Sequence, residues 1–228
     1  LALAPSLLQS KKPYSVLLIG VAGGAVIKQL NRFFPNAVEI DAVEIDPTMI
    51  EVAKNYFNLS DSEANIIVGE GRQYIATTQK KYDVVLIDAF STDLYAPSHL
   101  MTKEFFTLVK TALNPGGIMA FNAVGPEIVQ NGDSLYQVVA NTVASVFPHT
   151  YHASVRDDQL VIGNHILFAS SFQITANPVG KASMEQAAQT VVENIQNRIM
   201  PVSLKEEQAI LTDDKAPVEL LYWSMLGK

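Results

Sequence analysis

Along the first half of the chain, short runs of aliphatic and β-branched residues alternate with longer stretches in which apolar positions recur every three or four residues. The runs fall at 15–20 (SVLLIG), 38–45 (VEIDAVEI), 65–69 (NIIVG), 82–87 (YDVVLI) and 118–122 (IMAFN). Short, almost uninterrupted apolar runs predict strands covered on both faces, and the longer period between them predicts helices over 26–34, 72–78 and 103–113. Asp46-Pro47 adds a helix start after the second run, with Asp46 as N-cap and Pro47 at a position whose φ is already helical. Strands alternating with helices predict a doubly wound α/β sheet, mostly parallel, because right-handed crossovers leave few other topologies.

Beyond residue 122 the pattern changes. Ser134 to Gln137 reads as a capping box opening a helix that ends near Phe147, and the same box predicts helices from Ser183 to Gln186 and, shorter, from Ser203 to Glu206. Residues 151–155 and 160–169, separated by Arg156-Asp157-Asp158, predict a terminal antiparallel hairpin. The sequence shows no internal repeat. Asn177-Pro178-Val179-Gly180 is the best hinge candidate, and the whole of 1–228 is expected to be a single domain, with 1–13 a linker or truncated N-terminal region.

The polar residues that end the apolar runs are the candidates for chemistry, because ligands in open α/β sheets bind outside the carboxyl ends of the strands. The first run empties into VAGGA, where Gly20, Gly23 and Gly24 let a ligand approach the backbone before a helix with free N–H groups. Its spacing is not G-x-G-x-x-G. The second run ends at Glu44, 24 residues beyond Gly20, close to the interval at which a nucleotide-binding βαβ unit places its ribose-binding acid. A surface acid on an edge strand is the plainer alternative. The third is followed by Glu70-Gly71, able to meet an adenine amino group and ring nitrogen, or else a turn acid. The fourth ends at Asp88, followed by a polar loop with Ser91, Thr92, Asp93, Tyr95 and His99. For Asp88 the alternative is a strand end that caps a turn.

With 48% hydrophobic residues among 228, the chain can bury a sizeable core. Sixteen Lys+Arg against 23 Asp+Glu give a net charge of -7, without the clustered basic stripe of a nucleic-acid binder. The absence of cysteine excludes disulfides and thiolate metal sites and fits a reducing, cytoplasmic compartment. His149 and His152 lie three apart in a predicted strand and point to opposite faces, so no metal site is expected. No apolar run is long enough to span a bilayer, and no membrane contact is expected of this segment.

The series LLIGVAGGAVIKQL, AVEIDPTMIEVAKNYF, VGEGRQYI, YDVVLIDAFSTDLYAPSHLMTKEFF and LNPGGIM resembles the spermidine synthase (polyamine aminopropyltransferase) family. The likeness is to the branch often fused to membrane segments, which carries D-A-F-S-x-D before P-x-H-L-x-T, as Asp88 to Thr102 does, and T-D-D-x-A-P-V-E, as Thr212 to Glu219 does. That resemblance implies a seven-stranded methyltransferase-type (Rossmann-like) sheet. It also implies S-adenosylmethionine or decarboxylated S-adenosylmethionine as co-substrate, a small amine as acceptor, no metal, and a homodimer. It assigns Gly20, Gly23 and Gly24 to the glycine turn, Glu44 to ribose and Glu70 with Gly71 to adenine. Asp88 becomes the base, and Asp93, Tyr95 and His99 line the substrate side, Asp93 also as a catalytic candidate. Gly23 stands where the family usually has a turn aspartate, Ser91 aligns with its second loop acid with Asp93 shifted by two, and only about 13 residues precede the first predicted strand, where the family has an N-terminal β-rich domain. Three functions therefore stay open: aminopropyl transfer, methyl transfer from S-adenosylmethionine, and a non-catalytic nucleoside-binding module.

Overall fold

The computed structural model describes residues 1–8, 13–90, 95–125, 134–155, 163–174, 189 and 198–225. In chain order its elements are β1 (Tyr14–Ile19), α1 (Ala25–Phe33), β2 (Val38–Glu44), α2 (Pro47–Phe57), β3 (Asn65–Val68), α3 (Gly71–Thr77), β4 (Tyr82–Ile87) and α4 (Lys103–Ala112). They continue with β5 (Leu113–Gly125), α5 (Leu135–Ala144), β6 (His149–Val155), β7 (Gly163–Ser170), β8 (Ile199–Val202) and α6 (Val218–Met225).

The strands form one sheet in the order β3-β2-β1-β4-β5-β7-β6-β8. The first five are parallel, whereas β7 runs antiparallel to both β5 and β6, and β8 antiparallel to β6. The predicted α/β class and terminal hairpin are thus present, with β8 as an eighth strand beyond the seven expected. Alternation along β1 and β4 explains why these strands read as unbroken apolar runs. Leu17, Ile19, Val85 and Ile87 enter a core with α3, α4 and α5, while Val16, Leu18, Val84 and Leu86 enter a second core with α1 and α2. Ala4–Leu7 forms a short 3-10 turn whose Ala4 and Leu7 join that second core.

Local signals account for most boundaries. The Asp46 side chain accepts from Thr48 N at 2.8 Å with Pro47 opening α2, and Ser134 and Gln137 close a reciprocal capping box on α5. Asn114 to Gly117 lies inside β5. Leu113 pairs with Tyr82, the ladder shifts register, and it resumes at Ile118 opposite Val84. The short helix expected from Ser203 to Glu206 is absent. Asn141 takes over its backbone instead, donating from Nδ2 to Lys205 O (3.1 Å) and Gln208 O (3.0 Å) and accepting from Lys205 N (2.8 Å). The helix expected from Ser183 to Gln186 and the hinge at 177–180 lie outside the described residues. Among the described residues no helix is long and apolar enough to cross a membrane.

Candidate active site

Strand register brings the acids to one edge. Ile19 pairs with Val43 on one side and Ile87 on the other, and Ile87 pairs with Phe121. The next residues, Glu44, Gly20, Asp88 and Asn122, therefore stand side by side, the first three at the carboxyl ends of β2, β1 and β4 and Asn122 within β5, which runs on to Gly125. Backbone bonds fix the row: Gly20 N donates to Val43 O and Asp88 N to Ile19 O, both at 2.9 Å. Gly20 has φ +93, and a Cβ there would lie 2.5 Å from Asp88 O, so the close approach of these two strand ends demands glycine.

Each acid already has protein partners. Glu44, 8% exposed, turns its carboxylate into the glycine turn: Oε2 accepts from Val21 N (2.9 Å) and Ala22 N (3.2 Å), and Oε1 from Asp46 N (3.1 Å). A carboxylate offers about four acceptor positions, so one on Oε1 stays open. This side chain holds the turn in shape, including Ala22 at φ 46 and Gly24 at φ 77, the N-cap of α1. Gly23 faces the Phe57 ring, which a Cβ would meet at 3.4 Å.

Glu70 is the N-cap of α3, accepting from Arg72 N (2.9 Å) and Gln73 N (2.7 Å), with His99 Nε2 3.2 Å from its Oε1. Burial alone would raise its pKa, but these donors outweigh it and hold the carboxyl below the usual glutamate value. Gly71 sits against Ile19, where a side chain would collide. Asp88 accepts at Oδ1 from Asn122 Nδ2 at 2.8 Å. Tyr95 is buried and lines a narrow apolar crevice with Met101, Phe121, Leu135 and Tyr136. Asp93, Ser91 and Thr92 lie outside the described residues.

The structure thus gathers Gly20, Glu44, Glu70, Gly71, Asp88 and His99 along one rim, while Tyr95 lines the apolar crevice with Phe121, the residue before Asn122. It also adds residues that the sequence reading passed over. Asn122 was legible only as the last residue of an apolar strand, yet a polar group ending a buried strand is the same signal that singled out Asp88. Ile45 and Val68, at the ends of β2 and β3, are 67% and 60% exposed, apolar surface next to Glu44 and Glu70. The sequence leaves Asp213 and Asp214 open between closing over the acceptor site and capping a helix; Asp213 forms a bidentate ion pair with Arg72, 141 positions away, beside His99, a partner no local pattern announces.

A separate concavity lies at the opposite, amino-terminal edge of the sheet. Its buried Asp41 accepts from Asn65 Nδ2 (2.7 Å), Lys80 Nζ (2.8 Å) and Tyr82 OH (2.8 Å), so the acid there is consumed in tying strands together.

Residues 3–156 match the family model of the spermine/spermidine synthase domain. A probable polyamine aminopropyl transferase of Bifidobacterium longum is 31% identical over 91% of this chain and 48% of its own length, so the chain spans about half of that relative. A polyamine aminopropyltransferase of Vibrio vulnificus is 31% identical over 94% of this chain and 72% of its own. The crystal structure of human methyltransferase-like protein 13 in complex with SAH superposes with a TM-score of 0.62 at 27% identity, covering 90% of this chain and 91% of that one.

Proposed function

We propose that this chain, which belongs to the spermine/spermidine synthase family, binds an S-adenosylmethionine-type nucleoside at the carboxyl edge of its sheet and transfers an aminopropyl group from the decarboxylated form to a small amine, with Asp88 as the base. The observation that carries this reading is the position of Asp88, ending a central parallel strand one register step from the glycine turn and held by Asn122. Glu44 offers its open Oε1 position to a ribose hydroxyl, Glu70 and Gly71 meet the adenine edge, and Ile45 supplies apolar surface for the base.

The chemistry needs little beyond alignment and one proton acceptor. An ammonium cannot attack, so Asp88 first holds the cation and then takes its proton. The freed nitrogen lone pair forms the C–N bond to the aminopropyl carbon beside the sulfonium. The C–S bond breaks with its electrons going to sulfur, and methylthioadenosine leaves. Because the sulfonium is already an activated leaving group, the site's main contribution is to hold amine, carbon and sulfur in line. Tyr95 is assigned to the acceptor side, with Asp93 proposed as a second carboxylate, whereas His99 lies at Glu70 on the nucleoside side. Incubation with decarboxylated S-adenosylmethionine and putrescine should release methylthioadenosine from the wild type and not from Asp88→Asn; a folded wild type that releases none defeats the reading.

A second reading, methyl transfer from S-adenosylmethionine, is favoured by one observation. Gly23 and the Phe57 ring occupy the place where an acid would attract the donor's amino end and repel a carboxylate. The likeness to a methyltransferase-like protein crystallised with SAH points the same way. Calorimetry with both donors separates the two readings, since a preference for the carboxylated donor and formation of S-adenosylhomocysteine would establish methylation.

A further inference from the structure

Asp213 lies beyond residue 156, where the family match ends, yet the fold carries it back to the rim of the candidate site. Its carboxylate takes Arg72 in a bidentate pair, one branch being Nη1 to Oδ1 at 2.8 Å, and accepts from Thr102 Oγ1 at 2.7 Å. The segment carrying it is stitched down on both sides. Lys103 N donates to Leu211 O (2.8 Å), Leu211 N to Thr142 Oγ1 (3.0 Å) and Asp213 N to Glu104 Oε2 (3.0 Å). Arg72 Nη1 also donates to His99 O at 2.9 Å, and the His99 ring lies at Glu70 Oε1. Glu70 is therefore oriented from two directions, by the amides of its own helix and by a histidine whose backbone is gripped by the arginine that Asp213 fixes.

We propose that Asp213 and Arg72 form a positioning clasp through which the C-terminal segment sets the geometry of Glu70 and His99, and hence the affinity for the nucleoside. The inference rests on the nucleoside-binding reading above and gives the tail a role in it. Arg72 suits the task because its planar fork spans both carboxylate oxygens while a third acceptor, His99 O, shares the same nitrogen. A lysine would keep the charge and lose that geometry. Neither residue touches the bound nucleoside in this scheme; both act through His99 and Glu70.

The test is calorimetric titration of methylthioadenosine into the wild type, Asp213→Asn, Arg72→Lys, Glu70→Gln and the double variant Glu70→Gln/Asp213→Asn, with melting temperatures recorded for each. Asp213→Asn keeps the shape and an acceptor for Thr102, which protects the fold better than Asp213→Ala, which removes both. The clasp predicts that Asp213→Asn and Arg72→Lys each weaken binding about fivefold or more, with turnover at saturating donor preserved, and that Asp213→Asn adds little once Glu70 is already Gln. Unchanged affinity in both single variants overturns the clasp whatever happens to the melting temperature. So does a full, additive loss in the Glu70→Gln background. A wild type that binds no nucleoside at all overturns the site reading itself, a result distinct from either.

Discussion

Asn122, within β5, donates a 2.8 Å hydrogen bond from its Nδ2 to Asp88 Oδ1, just past the carboxyl end of the adjacent parallel strand β4. That bond fixes which way the amide faces, so Asn122 Oδ1 points away from the carboxylate, buried and without a hydrogen-bond partner among the described residues. A donor aimed at a carboxylate stabilises its anion, the form able to hold a cationic amine and then accept its proton.

From this pair follows the first prediction. Asn122→Ala removes a hydrogen bond to a charged group, worth about 1.5–3 kcal/mol where the carboxylate loses its partner. Turnover should fall roughly tenfold or more, since each 1.4 kcal/mol is a factor of ten. Stability should change little, because the same substitution relieves a buried unpaired oxygen. Single-turnover rates alongside urea melts check it, and a variant with wild-type turnover would show that Asn122 does not help the base.

Gly20 and Gly23 share one turn and should respond very unequally to substitution. A Cβ at Gly20 meets the Asp88 backbone at 2.5 Å with φ at +93, so Gly20→Ala must push β1 and β4 apart at their ends. The expected loss is about 2–4 kcal/mol, with donor binding abolished. At Gly23 a Cβ meets only the edge of a half-exposed Phe57 ring at 3.4 Å, and Gly23→Ala should cost about 1 kcal/mol or less. Chemical denaturation of the two variants side by side distinguishes the positions.

Much of this architecture was legible in the sequence because it is written locally. Buried strands such as Val84 to Ile87 announce themselves as apolar runs, and Asp46-Pro47 and Ser134 to Gln137 specify helix starts within four residues. What was not legible depends on partners far along the chain. Ser203 to Glu206 has the local chemistry of a helix start, but Asn141, 64 positions away from Lys205, offers its backbone better-placed partners. Glu44 was legible as an acid at a strand end. That it holds the glycine turn from Val21 and Ala22 follows only from the β1–β2 pairing. Nothing near Arg72 in sequence marks Asp213 as its counter-ion.

The turn-holding role of Glu44 predicts that an isosteric change is not benign. In Glu44→Gln one oxygen can still accept from Val21 and Ala22, but the NH2 then confronts Asp46 N–H, donor against donor. Stability should drop by about 1–2 kcal/mol and nucleoside binding by tenfold or more, because both the turn and the last open acceptor position are lost. Calorimetry and thermal melts on the same preparation measure the two losses. A variant that binds as tightly as the wild type would remove Glu44 from the ribose assignment.

Asn141 is 1% exposed and ties α5 to residues 205–208 through both ends of its amide. Asn141→Ala should cost about 2–4 kcal/mol, the expected scale for losing a buried hydrogen-bond network. Asn141→Asp should be worse, although nearly identical in shape. It could still accept from Lys205 N but would present a carboxylate oxygen to the carbonyls of Lys205 and Gln208. Urea titrations ranking wild type above Ala above Asp would confirm the order, and the reverse order of the two variants would refute the donor assignment at Nδ2.

The rim of the site also sets the direction of acid sensitivity. Hydrogen bonding to Arg72 is the main cause that lowers the Asp213 pKa, and the Glu70 pKa is lowered by the donors that outweigh its burial. A carboxyl depressed in the folded state adds stability that is fully present above its unfolded value, about 4, and is lost as pH falls through the folded value. These groups should therefore leave stability flat from about pH 7 to 5 and steepen its decline below about pH 4, where unfolded carboxyls bind protons that the folded ones resist. Asp213→Asn removes one titrating group and its ion pair together, so it should start less stable at neutral pH and lose less on acidification. The wild-type and variant curves should converge as the pH falls through the depressed values of the native carboxyls. Urea unfolding measured at intervals across that range tests the sign, and a variant whose stability falls as steeply as the wild type's would show that Asp213 is not among the groups that fail in acid.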